Sequence, residues 1–352
     1  TVLAPPVKTQ QSFENYLSQL VELNTQSAVS MGPLYEQLWL SIATLSASGK
    51  RVRPTLLLTV FDAYDGIAHD AALKSAAALE LLHIALLMHD DIVDQDLERR
   101  GHPNSIQVFR DAALHENHPS NIAQRWGEAN ALLGGDLLIS LAYKLMALID
   151  APFKVREHLL SVFEESVQHA ASGEQLDLAY GLGIRTPTLE DLRTMMHRKT
   201  SVYSFQAPLM MGAILAYAPP AHLHTLSRIG DTLGQIFQMT DDLLGVFGNP
   251  SVTGKSASTD IVQGKETMLI VYARQHEGWE EYRHLWADPN ATEEQIDSFR
   301  AFLVASGSRQ RTEELVNTYI SSCSQEIRQA QFPPALQEHL LAFTTTLGGR
   351  LS

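Results

Sequence analysis

One stretch, Leu79 to Arg100, limits what this chain can become: Leu-Glu-Leu-Leu-His-Ile-Ala-Leu-Leu-Met-His-Asp-Asp-Ile-Val-Asp-Gln-Asp-Leu-Glu-Arg-Arg. It begins as an apolar helix and ends in acid, then base. A helix turns about 100° per residue, so His83, Asp90 and Asp94, seven and four apart, lie along one line. Leu86 and Leu87 sit between them on nearly the same face, and Asp91 is the next position round. An apolar wall therefore leads up to a group of carboxylates. Asp90 and Asp94 cannot lie close together, both ionised and dry, without a cation. The simplest such cation is Mg²⁺, a hard ion that takes a few carboxylates and leaves its other positions for water or substrate phosphates. For an Asp-Asp-x-x-Asp taken alone, the competing explanation is a solvated helix end.

The rest of the chain is built to the same period. Phe13, Tyr16, Leu17, Leu20 and Val21 recur at three- and four-residue steps, as do Leu159, Val162, Phe163 and Val167, and Leu233, Ile236, Phe237 and Thr240. Pro and Gly cluster where helices should stop: Gly32-Pro33, His102-Pro103, His118-Pro119, Tyr180 to Pro187, Pro219-Pro220, Gly248 to Pro250 and Phe332 to Pro334. No linker or low-complexity stretch divides the chain. These features predict an all-α protein: a loose tail over residues 1–10, then one domain of ten or more helices over 11–352. Two acidic sites on separate helices suggest a bundle with its chemistry in the middle.

Composition excludes some functions. A net charge of -14 argues against a general nucleic-acid-binding surface. The one cysteine, Cys323, cannot form an internal disulfide and suits a reducing cytosol, hence a cytoplasmic location. No run of about 18 consecutive apolar residues is found, so no membrane span is expected, and no signal peptide is read.

The basic residues are concentrated. Gly49-Lys50-Arg51-Val52-Arg53-Pro54 puts three cations in four residues where Pro54 would begin a helix. Cations at a helix N-terminus repel the positive end of its dipole, and a bound anion would relieve them; the alternative is a surface basic patch. Arg99 and Arg100 follow the first acids directly and suit a diphosphate reaching over a metal, or else a salt bridge to Asp96 or Glu98. Gly173-Glu174-Gln175-Leu176-Asp177 and His197-Arg198-Lys199-Thr200 are ordinary taken singly. In Phe237 to Gly245 an apolar helix again runs into a pair of acids, Asp241 and Asp242, with Gln238 one turn before Asp242. The loop after it ends in Gly254-Lys255-Ser256. Its glycine spacing is one residue too long for a nucleotide P-loop, and it follows a helix where that motif follows a strand.

Taken together, from about Gly49 to Thr267, these segments resemble the trans-prenyltransferases, the head-to-tail isoprenyl diphosphate synthases, and among them the bacterial geranylgeranyl type. The resemblance rests on Gly-Lys-Arg-x-Arg-Pro at 49–54, Asp-Asp-x-x-Asp at 90–94 with Arg-Arg-Gly at 99–101, Gly-Glu-Gln-Leu-Asp at 173–177 and Lys-Thr at 199–200. Phe-Gln-x-x-Asp-Asp at 237–242, Gly-Lys at 254–255 and Gly-Lys-x-Thr at 264–267 complete it. In one place the chain departs: the second acidic motif of the family usually ends in a third aspartate, and this chain has Gly245. The resemblance implies an isoprenoid-synthase-type helical bundle around a central cavity, working as a homodimer. It implies that Asp90, Asp91 and Asp94, with Asp241 and Asp242, hold Mg²⁺ on the diphosphate of an allylic substrate. Arg99, Lys199, Lys255 and Lys265 would bind that same diphosphate. Lys50, Arg51, His83 and Arg100 would hold isopentenyl diphosphate, and Thr200 and Gln238 would stabilise the allylic cation. A class I terpene cyclase shares the first motif, but its second has a different spacing, and it has no use for Lys50 and Arg51. A catalytically silent partner subunit would be expected to lose acids from the first motif, and all three are kept.

The resemblance also bears on product length. In this family, aromatic residues four or five positions before the first motif stop chain growth early. Here those positions are Leu86 and Ala85, and no aromatic residue occurs from Leu79 to Asp94. An open pocket, floored by residues such as Leu81 and Leu82 or by the 161–171 helix, predicts products of the geranylgeranyl class or longer.

Overall fold

A computed structural model describes residues 7–99, 101–248 and 259–349. Helices α1 (Val7–Ala28), α2 (Pro33–Ser46), α3 (Val52–Ala63) and α4 (His69–Val93) come first. A short hairpin follows, β1 (Glu98–Arg99) with β2 (His102–Pro103), the one departure from helix among the described elements. Next are α5 (Ser105–His115), α6 (Ser120–Ala147), α7 (Phe153–Gly181) and α8 (Leu189–Met196). A π-helix (His197–Gln206) joins α8 to α9 (Ala207–Leu215). Then come α10 (Pro220–Phe247), α11 (Thr259–Val262), α12 (Met268–Arg274) and α13 (Trp279–Tyr282). The last three are α14 (Glu293–Ala305), α15 (Ser308–Gln329) and α16 (Pro334–Gly349). Pro33, Pro220 and Pro334 each open the first turn of a helix, where the missing N–H costs nothing. Helix α1 starts at Val7, inside the stretch expected to be a loose tail.

The chain packs as two compact units. One holds the chain up to Val162 together with Met211–Ala218. The other holds Phe163–Met210 and the chain from Pro219 onward. The boundaries fall inside α7 and near the middle of α9.

In the first unit α1 turns Phe13, Leu17 and Val21 inward, four residues apart, as the periodicity predicts. From Pro54 to Phe61 every residue of α3 is buried, so this helix is wrapped on all sides. Helix α4 runs through the same core. By length and composition it is apolar enough to cross a membrane, with a mean hydropathy of 1.6, although its apolar run is broken by Glu80 and His83. Most of that window, 72%, is buried within the protein, as expected for a core helix.

In the second unit α10 packs against the π-helix and α15. Phe205 of the π-helix lies against Phe237 of α10 and Phe343 of α16. The π-helix is pinned on two sides. His197 Nδ1 is 2.7 Å from Asp231 Oδ1 on α10, and Arg198 Nη1 donates to Ser172 Oγ on α7 at 2.9 Å. Gly173 admits this contact: a Cβ there would fall 2.8 Å from the Arg198 carbonyl carbon. Cys323 is buried here, and burial pushes its thiol up to about 12.

Candidate active site

In the first unit, the face drawn from sequence exists. Around α4 most side chains are fully buried, but His83, Leu86, Leu87 and Asp90 are half-buried, and Asp94, the C-cap, is exposed. They form one partly open stripe from apolar to acidic. Asp91 goes the other way. It is 1% exposed, and its Oδ1 accepts from Arg99 Nε at 2.7 Å and from Arg99 Nη2. Arginine stays charged, so Asp91 sits beside a permanent cation delivered by the hairpin. That hairpin is itself tied down: Asn104 Nδ2 donates to the Asp96 carbonyl at 2.7 Å, and its Oδ1 caps α5 by accepting from Gln107 N.

The second unit repeats the arrangement. Asp241 on α10 is exposed, while Asp242 is 5% exposed. Asp242 Oδ1 accepts from Lys265 Nζ at 2.9 Å and from Gln238 Nε2 at 3.0 Å. Gln238 Oε1 in turn accepts from Thr200 Oγ1 at 2.8 Å. Thr200, Gln238, Asp242 and Lys265 thus form one hydrogen-bonded chain from the π-helix to the segment before α12. Burial works against the charge on Lys265, but Asp242, Asp260 and Asp177 outweigh it and hold the ammonium well above its usual range. Lys199 Nζ bridges Glu174 at 2.7 Å and Asp177 at 2.5 Å, one helical turn apart on α7.

Three expectations need correction. Arg51 is not an outward cation. It caps α3 in the left-handed region, φ 51°, and its side chain turns inward to 6% exposure. There it donates to Glu14 Oε1 at 3.0 Å, Glu80 Oε1 at 2.8 Å and the Ser46 carbonyl at 2.5 Å. Of the basic cluster, Lys50 stays exposed and Arg53, in the first turn of α3, half-buried. Sequence reading gave Arg53 no role of its own, because a left-handed residue at 51 leaves no trace in periodicity. Second, Asp91 and Asp242 are buried and each sets its Oδ1 against a cation, so of the five expected acids Asp90, Asp94 and Asp241 are the ones that reach solvent. Third, Ala85, Leu81 and Leu82 are all 0% exposed. No water-sized space touches them, so they neither wall nor floor an open pocket. Arg100 and Lys255 lie outside the described residues.

Among the described residues, no three His, Cys, Asp or Glu side chains converge to hold a metal ion by themselves. Each acidic helix end offers one or two outward carboxylates. These are hard oxygen donors of the kind Mg²⁺ takes when phosphates and water fill its remaining positions.

Helices bearing paired acids, each with one carboxylate outward and the next anchored on a cation, define an isoprenoid-synthase-type all-α fold. A solved geranylgeranyl pyrophosphate synthase from Corynebacterium glutamicum, complexed with isoprenyl diphosphate and magnesium, shares that fold. Its TM-score is 0.89 over 97% of this chain and 99% of that one, at 23% identity. Residues 38–303 match the polyprenyl synthetase family, and the chain belongs to it. The short chain isoprenyl diphosphate synthase of Methanothermobacter thermautotrophicus is 33% identical over 229 residues, 65% of this chain and 64% of that protein. The chain thus spans just under two thirds of that relative. The geranylgeranyl diphosphate synthase of Sulfolobus acidocaldarius is 30% identical over 266 residues, 74% of each.

Proposed function

We propose that this chain is a Mg²⁺-dependent head-to-tail prenyltransferase, working as a homodimer. It would condense isopentenyl diphosphate with an allylic diphosphate to give an all-trans prenyl diphosphate of the geranylgeranyl class or longer. The observation that carries this reading is the repeated device on α4 and α10: an outward aspartate followed by one buried against a fixed cation. An isolated solvated helix end has no reason to bury its second acid in this way twice.

Asp90, Asp94 and Asp241 would hold Mg²⁺, which when bound offsets the charge growing on the departing diphosphate. Lys199, Lys265 and Arg99 bind the oxygens of that group, and their carboxylate partners set where the ammonium and guanidinium groups stand; Lys255 would bind the same group. The allylic C–O bond breaks, and the double bond of isopentenyl diphosphate attacks the cation to form the new C–C bond. A proton then leaves to the released diphosphate, creating the new double bond. Lys50, Arg53, His83 and Arg100 hold isopentenyl diphosphate. Thr200 donates its hydroxyl hydrogen bond to Gln238 Oε1, so its oxygen lone pairs are left to face the allylic cation. Leu86 and Leu87 keep water from trapping that cation as an alcohol.

The test is one assay with Mg²⁺, isopentenyl diphosphate and a geranyl or farnesyl diphosphate primer. Elongated prenyl diphosphate is the expected product. A cyclic hydrocarbon, or no turnover at all, overturns the reading.

Product length should respond to Leu86 and not to Ala85. Leu86 is half-buried on the stripe leading to Asp90, whereas Ala85 is packed in the core. Leu86→Phe is expected to shorten the product by at least one isoprene unit. Ala85→Phe overpacks the core and should cost about 1–3 kcal/mol of stability. Chromatography of dephosphorylated products checks the first variant, and a urea melt checks the second. A Leu86→Phe enzyme with wild-type product length removes that side chain from the pocket.

A further inference from the structure

The π-helix that carries Lys199 and Thr200 needs a hold from outside. Such wide turns are rare and seldom run beyond one turn, yet this one continues over ten residues, His197–Gln206. It lies backbone to backbone on α10. Gly230 and Gly234, one turn apart there, make the approach possible. A Cβ on Gly230 would fall 2.8 Å from Gln206 Cα, and one on Gly234 would fall 2.6 Å from Ser201 Cβ and nearer still to its Cα. On α7, a Cβ on Gly173 would fall 2.5 Å from Lys199 Cα. These are main-chain contacts, which cannot swing aside as the tip of a long side chain can.

Bare glycine surfaces let two helices touch, but they do not choose how one is rotated on the other. Directional hydrogen bonds do that. At the far end, Gln206 Nε2 donates to the Ser227 carbonyl at 2.9 Å. At the near end, Asp231 of α10 makes two contacts. Its Oδ1 is 2.7 Å from His197 Nδ1, and its carbonyl accepts from Ser201 Oγ at 3.0 Å. An ionised carboxylate only accepts, so the imidazole donates. Gln235 Nε2 donates to the other carboxylate oxygen of Asp231 at 3.3 Å. The ring of His169, on α7, meets that of His197 edge to face, with centroids 5.5 Å apart. The imidazole is thus confined between two helices. The positions that Asp231 holds, 197 and 201, bracket Lys199 and Thr200 in the chain. Those two side chains go elsewhere, Lys199 to Glu174 and Asp177 and Thr200 to Gln238.

We infer that Asp231, acting through His197, is a positioning residue: it fixes the rotation of the π-helix, and so where the Lys199 ammonium and the Thr200 hydroxyl stand. This rests on the proposal above that those two groups meet the allylic diphosphate and the cation formed from it. Isopentenyl diphosphate is assigned there to Lys50, Arg53, His83 and Arg100, none of them on the π-helix. Loss of the Asp231–His197 contact should therefore fall on one substrate. A part that merely held the fold together would not choose between two substrates.

The experiment is a double-mutant cycle on the full chain, with Asp231→Ala, His197→Ala and the two combined, and with Asp231→Asn beside it. Each single alanine variant is expected to raise the KM for the allylic diphosphate about tenfold to a hundredfold, the cost of a small misplacement, and to leave the KM for isopentenyl diphosphate unchanged. The combined variant should be no worse than either single one, because both remove the same contact. Asp231→Asn keeps an oxygen that accepts from His197 and should stay close to the wild-type KM. Equal rises in both KM values, no rise in either, losses that add in the cycle, or Asp231→Asn as impaired as Asp231→Ala each overturn the inference. If a urea melt shows that Asp231→Ala does not fold, the KM split in His197→Ala decides alone. Calorimetry with inorganic diphosphate and Mg²⁺ separates this inference from the reading it rests on. A wild type that elongates, with an allylic KM indifferent to the pair, sinks this inference alone. A wild type that does not elongate, with diphosphate binding weakened about tenfold by either alanine variant and no further by both, sinks the prenyltransferase reading and leaves the positioning pair standing.

Discussion

Asp90→Ala is expected to lower turnover about 10²- to 10³-fold while unfolding at the same urea concentration as the wild type. Asp90 is half-buried on the open stripe of α4, one residue from a carboxylate whose Oδ1 is held by Arg99. A group that acts on charge developing in the transition state contributes there and little to the resting protein. Its loss should therefore fall on kcat and kcat/KM together. Asp91 makes the contrast. It is 1% exposed, and its partner Arg99 has a side chain 16% exposed. Asp91→Ala leaves a buried guanidinium without its carboxylate, so stability should drop along with activity. The pair of variants separates two roles within one motif. The measurements are steady-state kinetics with both substrates and a urea melt on each variant. Near-normal turnover in Asp90→Ala removes it from the metal set, and an unfolding midpoint equal to wild type in Asp91→Ala removes the anchoring role.

That contrast also marks what the sequence can and cannot tell. The line of His83, Leu86, Leu87, Asp90 and Asp94 was legible because helix geometry is local and repeats. Pro33, Pro220 and Pro334 were legible as breaks where helices stop, and in the structure each also opens the first turn of the next helix. The inward turn of Asp91 was not legible, because the cation that draws it in arrives eight residues later on a hairpin. The pairing of Asp242 with Lys265 spans 23 residues and is equally silent. The π-helix carrying Lys199 and Thr200 reads in sequence as ordinary helix, since apolar spacing does not distinguish slightly wider turns. For Asp91 and Asp242 the missing information is a contact between distant residues; the helical class was foreseen, but the β1–β2 hairpin, the π-helix and the start of α1 at Val7 were not. Ala85 teaches the same point from the other side. Its distance from Asp90 along the helix was known, but only packing shows that nothing open adjoins it.

Arg51 carries the second large expectation, and here the structure reverses the reading that sequence invites. As a cation in a basic cluster it would be expected to hold a substrate phosphate, and its removal would raise one KM. Its actual setting predicts lost folding stability instead. Glu80 is 3% exposed and accepts from Arg51 Nη1 at 2.8 Å; its other oxygen has no hydrogen-bond partner among the described residues. Arg51→Ala leaves that carboxylate buried beside no cation, which costs about 3–5 kcal/mol when one partner of a buried pair is removed. Removing both charges, as Arg51→Met with Glu80→Leu, should recover much of the loss, since an apolar pair of similar volume pays no desolvation. Urea melts decide it, read at constant m so that midpoints report stability. If Arg51→Ala unfolds with the wild type and instead loses only its grip on isopentenyl diphosphate, the buried cluster is not what holds this end of α3, and Arg51 returns to the substrate site.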